Sequence, residues 1–360
     1  MATESAVERR DALVERLFLA TVGAMDLAGV YVGERLGLYR ALVERGPLTA
    51  KELAEAAGIH ERYAREWLEQ QAASSILEAE QDGETWRFTL PDGHSEALVD
   101  TSSLNYVAPF SLLTVACLRP IDELLEAFRR GDGVPYAAYG ADLHEGQGAF
   151  TRPLFLSLLA QEWLPSVPEI HERLLVDPPA RVADVACGIG WSSIGIARGY
   201  PSVTVDGIDL DEPSIALAQR NLVGSGVEDR VRFTVRDAAD PQLSGRFDLV
   251  TIFEALHDMS YPVQVLRACR GMLAEGGAVL VGDERTGDAF SAPAEDLERL
   301  YYGFSVLHCL PVGMVGDGAA GTGTVMRSST VETYARDAGF TSFEVAPIEN
   351  DFWRFYVLRP

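Results

Sequence analysis

The 360-residue chain has a single lysine, Lys51, so nearly all of its 30 basic side chains are arginines. Against them stand 54 aspartates and glutamates, for a net charge of −24. That deficit argues against binding nucleic acid or an anionic membrane through bulk electrostatics, although a local basic patch stays compatible with it. The near-absence of lysine reads as a coding bias of a GC-rich genome, since exchanging lysine for arginine throughout serves no structural purpose. Cysteine is scarce as well: Cys117, Cys187, Cys269 and Cys309 lie far apart, with no CxxC. No disulfide framework or cysteine zinc knuckle is implied, and a reducing compartment fits. Runs of about 18 or more apolar residues are missing, and "MATESAVERRDALVERL" lacks the apolar centre of a signal peptide. The expectation is a cytoplasmic protein with no membrane partner.

What the chain does contain, 47% hydrophobic and 23% charged residues, is the balance of a globular protein with a sizeable core. Residues 6–45 carry Leu13, Leu17, Leu27, Val30, Leu36, Leu38 and Leu42 at helical spacing. In "LTAKELAEAAG", Thr49 stands three residues before Glu52, the spacing of a capping box. "IHERYAREWLEQQAA" then sets Tyr63, Trp67 and Leu68 on one face, and "SILEAE" and "TWRFTL" flank a turn at Asp82-Gly83. Helix, turn, helix and hairpin predict a winged-helix domain over residues 1–100. Its 10 Lys and Arg face 19 Asp and Glu. In the second helix Arg62 and Arg65 are outweighed by Glu61, Glu66 and Glu69, whereas a helix entering the major groove should be basic. The domain therefore reads as a dimerisation module with an apolar first helix, and the chain as a homodimer without a nucleic-acid partner.

Residues 101–178 predict a helical connector, with Gly-rich "GADLHEGQGAF" as a loop and "VDPPAR" as its end. From there to residue 360 the pattern alternates. "RVADVA", "VTVDGIDL", "VRFTVRD", "FDLVTIF" and "GAVLVGDE" are β-branched runs separated by helical stretches, the mark of a doubly wound α/β sheet. "SFEVAPI" and "FWRFYVL" make a hairpin edge.

"VADVACGIGWSS" places Gly188 and Gly190 between the first strand and its helix, where backbone N–H groups can approach a ligand. A dinucleotide fingerprint needs a third glycine at 193, which is Ser193. The second strand ends at Asp209, suited to vicinal ribose hydroxyls, and the third at Asp237, suited to an exocyclic amine. Acids at successive strand ends without a phosphate-binding lysine suit a nucleoside that carries no phosphate.

On "VADVACGIG", "GIDLD", "VRDA" and "FDLVTIFEALHD" the chain resembles class I S-adenosylmethionine-dependent methyltransferases from about Arg181 onward. The resemblance implies a seven-stranded Rossmann-like sheet of order 3-2-1-4-5-7-6, its seventh strand antiparallel. It implies that the Gly188/Gly190 loop holds the methionine part of S-adenosylmethionine, Asp209 the ribose and Asp237-Ala238 the adenine. Asp184 and Phe253 complete that cofactor set. Ala186 departs from the family, which usually has glycine there.

With the winged-helix half and "ALHDM", the chain is similar to small-molecule O-methyltransferases of the caffeate and bacterial type, dimers that act on a small acceptor. In that family the "HD" pair supplies a base, which places His257 in that role with Asp258 and Glu254 beside it. An imidazole titrating near ~6.5 can take a proton from a phenol or enol. The same residues leave a metal-assisted alternative open. Glu254, His257 and His308, the last brought over the site by an insertion at about 285–327, make the ligand set of an open divalent-metal site. Such a metal would chelate an α-keto acid for C-methylation. A regulator that reads the cofactor, or an enzyme that binds it without transferring the methyl, are the further readings.

Overall fold

The structure, a computed structural model, describes residues 5–240, 242–243 and 245–360, and it divides into a unit ending at Val115 and one from Ala116 to Pro360. In the first, α1 (Ala6–Arg35) begins with a capping box between Ser5 and Glu8. It leads into α2 (Leu38–Arg45), α3 (Ala50–Ala57) and α4 (Glu61–Ala73). The predicted Thr49–Glu52 capping box forms at the start of α3. The hairpin β1 (Glu78–Asp82) and β2 (Thr85–Thr89) follows, then α5 (Asp92–Leu98) and α6 (Pro109–Leu118), within which the first unit ends. Leu38, Leu53, Ala64, Leu68 and Phe88 bury the inner faces, and Trp67 Nε1 donates to the Gly29 carbonyl at 2.9 Å. The outward side of α1 keeps Leu13, Val14, Leu17, Phe18, Val22 and Met25 exposed.

The second unit starts with α7 (Ile121–Arg130), a short helical turn Tyr136–Tyr139 and α8 (Ala141–Leu154). The segment "GADLHEGQGAF", expected to be a loop, is therefore helical. Its small and polar residues are what the packing requires: Leu143, His144, Gly146 and Gly148 are buried, and Arg119 pairs with buried Asp142 at 2.6 Å. The helix runs on through a wider turn, Phe155–Trp163, before α9 (Pro168–Leu175).

The sheet is built by β3 (Arg181–Val185), β4 (Thr204–Asp209), β5 (Val231–Val235), β6 (Phe247–Phe253), β7 (Leu273–Glu284), β8 (Ser342–Val345) and β9 (Trp353–Arg359). Between them lie α10 (Trp191–Gly199), α11 (Glu212–Leu222), α12 (Pro262–Met272), α13 (Asp296–Phe304), α14 (Leu310–Gly313) and α15 (Ser328–Asp337). The strands run β5-β4-β3-β6-β7-β9-β8, with β9 antiparallel to both neighbours, which is the expected order. Both faces are covered, so the central strands read as continuous apolar runs. On one face Trp353 and Phe355 of β9 pack with Leu159 and Trp163, and the other face packs against Leu266, Met272 and Val331.

Helix α10 lies so close to the Phe155–Trp163 segment that a Cβ on Gly195 would stand 2.4 Å from the Phe155 carbonyl oxygen. Glycine costs a helix about 1 kcal/mol relative to alanine, and here close approach outweighs propensity. Gly195→Ala should therefore lower stability, by about 1–3 kcal/mol, in a urea unfolding curve. A stabilised variant would show that α10 can move away at no cost.

Candidate functional site

The connections reverse direction between β3 and β6, and this switch point opens a crevice at the strand ends. A cavity of about 640 Å³ occupies it, a volume in the range of ligand sites. Its floor is the β3–α10 loop. Gly190 has φ of 86°, and a Cβ there would stand 2.4 Å from Phe233, so only glycine fits. Beneath the loop, Asp184 is buried. Its Oδ2 accepts the hydroxyls of Ser192 and Ser193, each at 2.6 Å, and its Oδ1 that of Thr251 at 2.8 Å. Burial pushes the Asp184 pKa up, with the three hydroxyls opposing. The third-glycine position that lacks a glycine thus carries an anchor for the loop.

Asp209 accepts the backbone N–H of Gly188 at 2.8 Å and of Asp211 at 2.9 Å. Asp237 accepts from the Ala239 N–H at 2.8 Å and remains exposed at the rim. Asp184, Gly188, Gly190, Asp209, Asp237, Ala238 and Phe253, the residues expected to hold the cofactor, all line one cavity. Residues that escaped the sequence reading join them: Gln147, Thr151 and His144, whose Nε2 stands 3.1 Å from Asp211 Oδ2. His144 and Gln147 come from the segment misread as a loop and Thr151 directly follows it, so no helical face had been drawn for them.

The end of β6 is arranged differently from expectation. Glu254 and Asp258 line the cavity, but His257 does not. Its imidazole is 2% exposed and turned toward the end of β7, with Nδ1 2.8 Å from Asp283 Oδ1 and 3.0 Å from Glu284 Oε2. The Cys309 thiol hydrogen-bonds to the same ring. Burial alone would lower the histidine's pKa; the Glu284 and Asp283 carboxylates outweigh it and hold the ring protonated well above its ordinary range. The expected placement of His257 on the cavity wall is therefore corrected: its ring sits behind Glu254 and Asp258, held between Asp283 and Glu284. Asp283 and Glu284 carried a signal that went unused: acids at the end of the strand beside β6, the pattern that marked Asp209.

The metal set is corrected as well. Among the described residues, the group whose ligating atoms gather within 4.8 Å of one another is His257, Asp283 and Glu284. Glu254 and His308 are not in it. His308 is packed edge-on against Tyr139, with ring centroids 4.5 Å apart, and its Nδ1 lies 3.3 Å from Cys309 Sγ. Burial, then the charge on His257, pulls its pKa down to about 3.

Glu254 adopts φ of 52°, unusual for a residue with a side chain. Burial pushes its carboxyl up to about 7, against a hydrogen bond from Gln147 and the His257 charge. Among the described residues its Oε2 is buried without a hydrogen-bond partner. Burial raises Asp258 to about 6, with the His257 charge opposing. The insertion supplies Val312, Val315 and Gly316 to the cavity wall. It is tied down by the Gly323 N–H to the His257 carbonyl at 3.0 Å and the Ala320 N–H to the Ser260 carbonyl at 2.8 Å.

Comparison with known proteins agrees with this architecture. Residues 182–277 match the family described as "Methyltransferase domain", and residues 23–100 match "Rv2258c-like winged HTH domain". The chain thus carries a stretch similar to a winged-helix domain followed by one similar to a methyltransferase domain. It is 39% identical over 103 residues to the ubiquinone biosynthesis O-methyltransferase of Marinobacter nauticus. That match covers 28% of this chain and 42% of the relative, so the chain spans under half the length of that curated relative. A putative O-methyltransferase from Nostoc punctiforme superposes with a TM-score of 0.71 at 19% identity, covering all of both chains. Human N-acetylserotonin methyltransferase superposes with a TM-score of 0.70 at 17% identity over 100% of this chain and 99% of that one.

Ala186 has φ of 55° at the exit of β3, where the family resemblance expected glycine. A left-handed conformation costs a side-chain-bearing residue about 1–2 kcal/mol, so Ala186→Gly should stabilise the domain by about 1 kcal/mol in a urea titration. An unchanged or lowered midpoint would mean that the methyl group's packing offsets the strain.

Proposed function

We propose that the protein transfers the methyl group of S-adenosylmethionine to an oxygen of a small-molecule acceptor, and that it acts as a homodimer. The observation that carries the reading is the single cavity in which the Gly188/Gly190 loop, Asp209 and Asp237 converge with Glu254 and Asp258. The human N-acetylserotonin methyltransferase of similar fold was crystallised with S-adenosylmethionine, and the matched bacterial relative is named an O-methyltransferase. The donor set here fits that cofactor: backbone N–H groups for its carboxylate, Asp209 for ribose hydroxyls, Asp237 and Ala238 for adenine, Phe253 as an apolar wall.

When bound, the cofactor supplies a methyl group on a cationic sulfur. The oxygen–carbon bond forms as the carbon–sulfur bond breaks, and the acceptor's hydroxyl proton must leave. Asp258 is the group placed to receive it. With a pKa near 6 it is a carboxylate at neutral pH, yet basic enough to accept a proton in the transition state. His257, paired with Asp283, holds the segment between Glu254 and Asp258 and adds positive charge behind them. The metal-assisted α-keto acid reading loses its ligand set in this arrangement. The regulator reading has no basic recognition helix to support it.

Helix α1 supports the dimer. Leu13, Leu17, Phe18 and Met25 are exposed at 46%, 56%, 67% and 64%, and a face so apolar calls for a partner. A second copy is the partner consistent with a net charge of −24, since an acidic chain meets its own copy best through an uncharged face.

Two outcomes follow. Asp258→Asn should cut kcat about a hundredfold or more, with S-adenosylhomocysteine affinity by calorimetry changed less than threefold. It should also abolish the acid limb of the pH–rate profile, in which activity falls below pH about 6 as Asp258 takes up a proton. An unchanged limb would remove Asp258 from the mechanism. Leu17→Asp combined with Phe18→Asp should halve the mass measured by sedimentation while the unfolding midpoint of the α/β domain stays put; an undisturbed dimer would place the interface elsewhere.

A further inference from the structure

One tyrosine of the cavity wall is left without a partner. Tyr136 lines the cavity, and its hydroxyl makes no hydrogen bond among the described residues, although a phenol enclosed by protein usually finds one. Its neighbours are engaged: Tyr139 donates to the Leu307 carbonyl at 2.9 Å and Tyr261 to the Asp317 carbonyl at 3.1 Å. The Tyr136 oxygen is also open to the cavity, whereas Oε2 of Glu254 is sealed off. Two elements fix the ring. His144 of α8 packs on it with centroids 5.2 Å apart and stands 3.1 Å from Asp211, just past β4. His308 of the insertion packs on it at 5.7 Å, beside Cys309, whose thiol reaches His257 past β6. The chain leading to Tyr136 is held as well: the Val134 N–H donates to the Pro311 carbonyl at 3.0 Å, and a Cβ on Gly133 would stand 2.5 Å from that oxygen. Tyr136 therefore bridges from the β4 end to the β6 end, across β3 between them. Burial, then the charges on Asp209, Asp258 and Asp211, push its pKa well above the ordinary range, so it is a neutral phenol with carboxylates around its tip.

We propose that Tyr136 touches the reacting centre, its hydroxyl oxygen facing the sulfonium of bound S-adenosylmethionine and the methyl group it carries. The inference rests on the methyl-transfer reading above and adds a contact residue to it. On that reading the ribose lies at Asp209 and the acceptor's proton leaves to Asp258. The transferable methyl then stands between the two, where the Tyr136 oxygen is presented. A neutral oxygen suits that place. Its lone pairs attract a methyl polarised by a cationic sulfur, and they lose most of that attraction once the sulfur is a neutral thioether. A phenol that keeps its proton is also a weak nucleophile, so it does not compete with the acceptor for the methyl.

The test is calorimetric binding of S-adenosylmethionine and of S-adenosylhomocysteine, without acceptor, to the full chain and to Tyr136→Phe. Folding of the variant is checked by its unfolding midpoint. S-adenosylmethionine should bind the variant about two- to fivefold more weakly, while S-adenosylhomocysteine changes by less than about 1.5-fold. Tyr136→Leu, which removes ring and hydroxyl together, carries the same test should the first variant fold poorly, and there too the ratio of the two affinities should fall. A tyrosine with a merely structural role would weaken both forms alike, and that result overturns the proposal. So does a ratio that stays at the wild-type value in either variant, which leaves the methyl-transfer reading standing. A wild-type chain that binds neither form sinks that reading and this inference together.

Discussion

The carboxylate of Asp184 is the contact on which the site depends. It is buried in β3, and through three hydroxyls it joins the first turn of α10 to β3 and β3 to β6. An unpaired buried carboxylate would cost several kcal/mol; three donors make the position affordable and, in return, fix the distance between loop and sheet. The loop's φ values at Ala186, Gly188 and Gly190 are then imposed by two ends that cannot move. Asp209 adds a second restraint by taking the Gly188 N–H. A cavity whose floor is set this way is ready before a ligand arrives.

The second constraint lies one strand away. Glu284 and Asp283 extend β7 past its pairing with Phe253, and His257 reaches back from the segment after β6 to meet them. Burial pushes all three toward neutrality, but coupling splits them: Asp283 is held below the usual carboxylate range and Glu284 well above it. The result is an internal charge that the solvent does not reach. It stabilises ionised groups at Glu254 and Asp258 without touching the cavity itself, a division of labour between the residue that holds charge and the residues that meet the ligand.

Much of this was legible in the sequence, and the failures have physical causes. Strand order, the capping box at Thr49 and the glycine loop followed from local patterns, because period and turn chemistry are local properties. The acidic side of the cavity was legible for the same reason: Asp209 and Asp237 each stand at a strand end that the pattern itself marks. The helix Ala141–Leu154 was missed because glycine and polar residues signal a loop until one knows what packs against them. The orientation of His257 was missed because spacing can place a side chain near a site but not say which way it turns. That direction is decided by Asp283 and Glu284, 26 and 27 positions further along the chain, and their hold on the ring is a long-range electrostatic fact.

The same acids bear on turnover. On the proposed methyl-transfer reading, S-adenosylmethionine would bring a sulfonium into a cavity lined by carboxylates, with no lysine or arginine among the lining residues, and the reaction would remove that charge. Before transfer the wall would favour the sulfonium; afterwards it would not favour the neutral thioether, so the product would lose an attraction that the substrate had. No group needs to move for this asymmetry to act. It requires only that the acids stay ionised, and their burial alone would not allow it. The backbone N–H groups on Asp209, the hydroxyls on Asp184 and the His257 charge behind Asp258 oppose protonation at the three places nearest the switch between β3 and β6. Stability of the loop and, on that reading, discrimination between the two cofactor forms would thus come from one set of contacts, and a change that loosens the first should blunt the second.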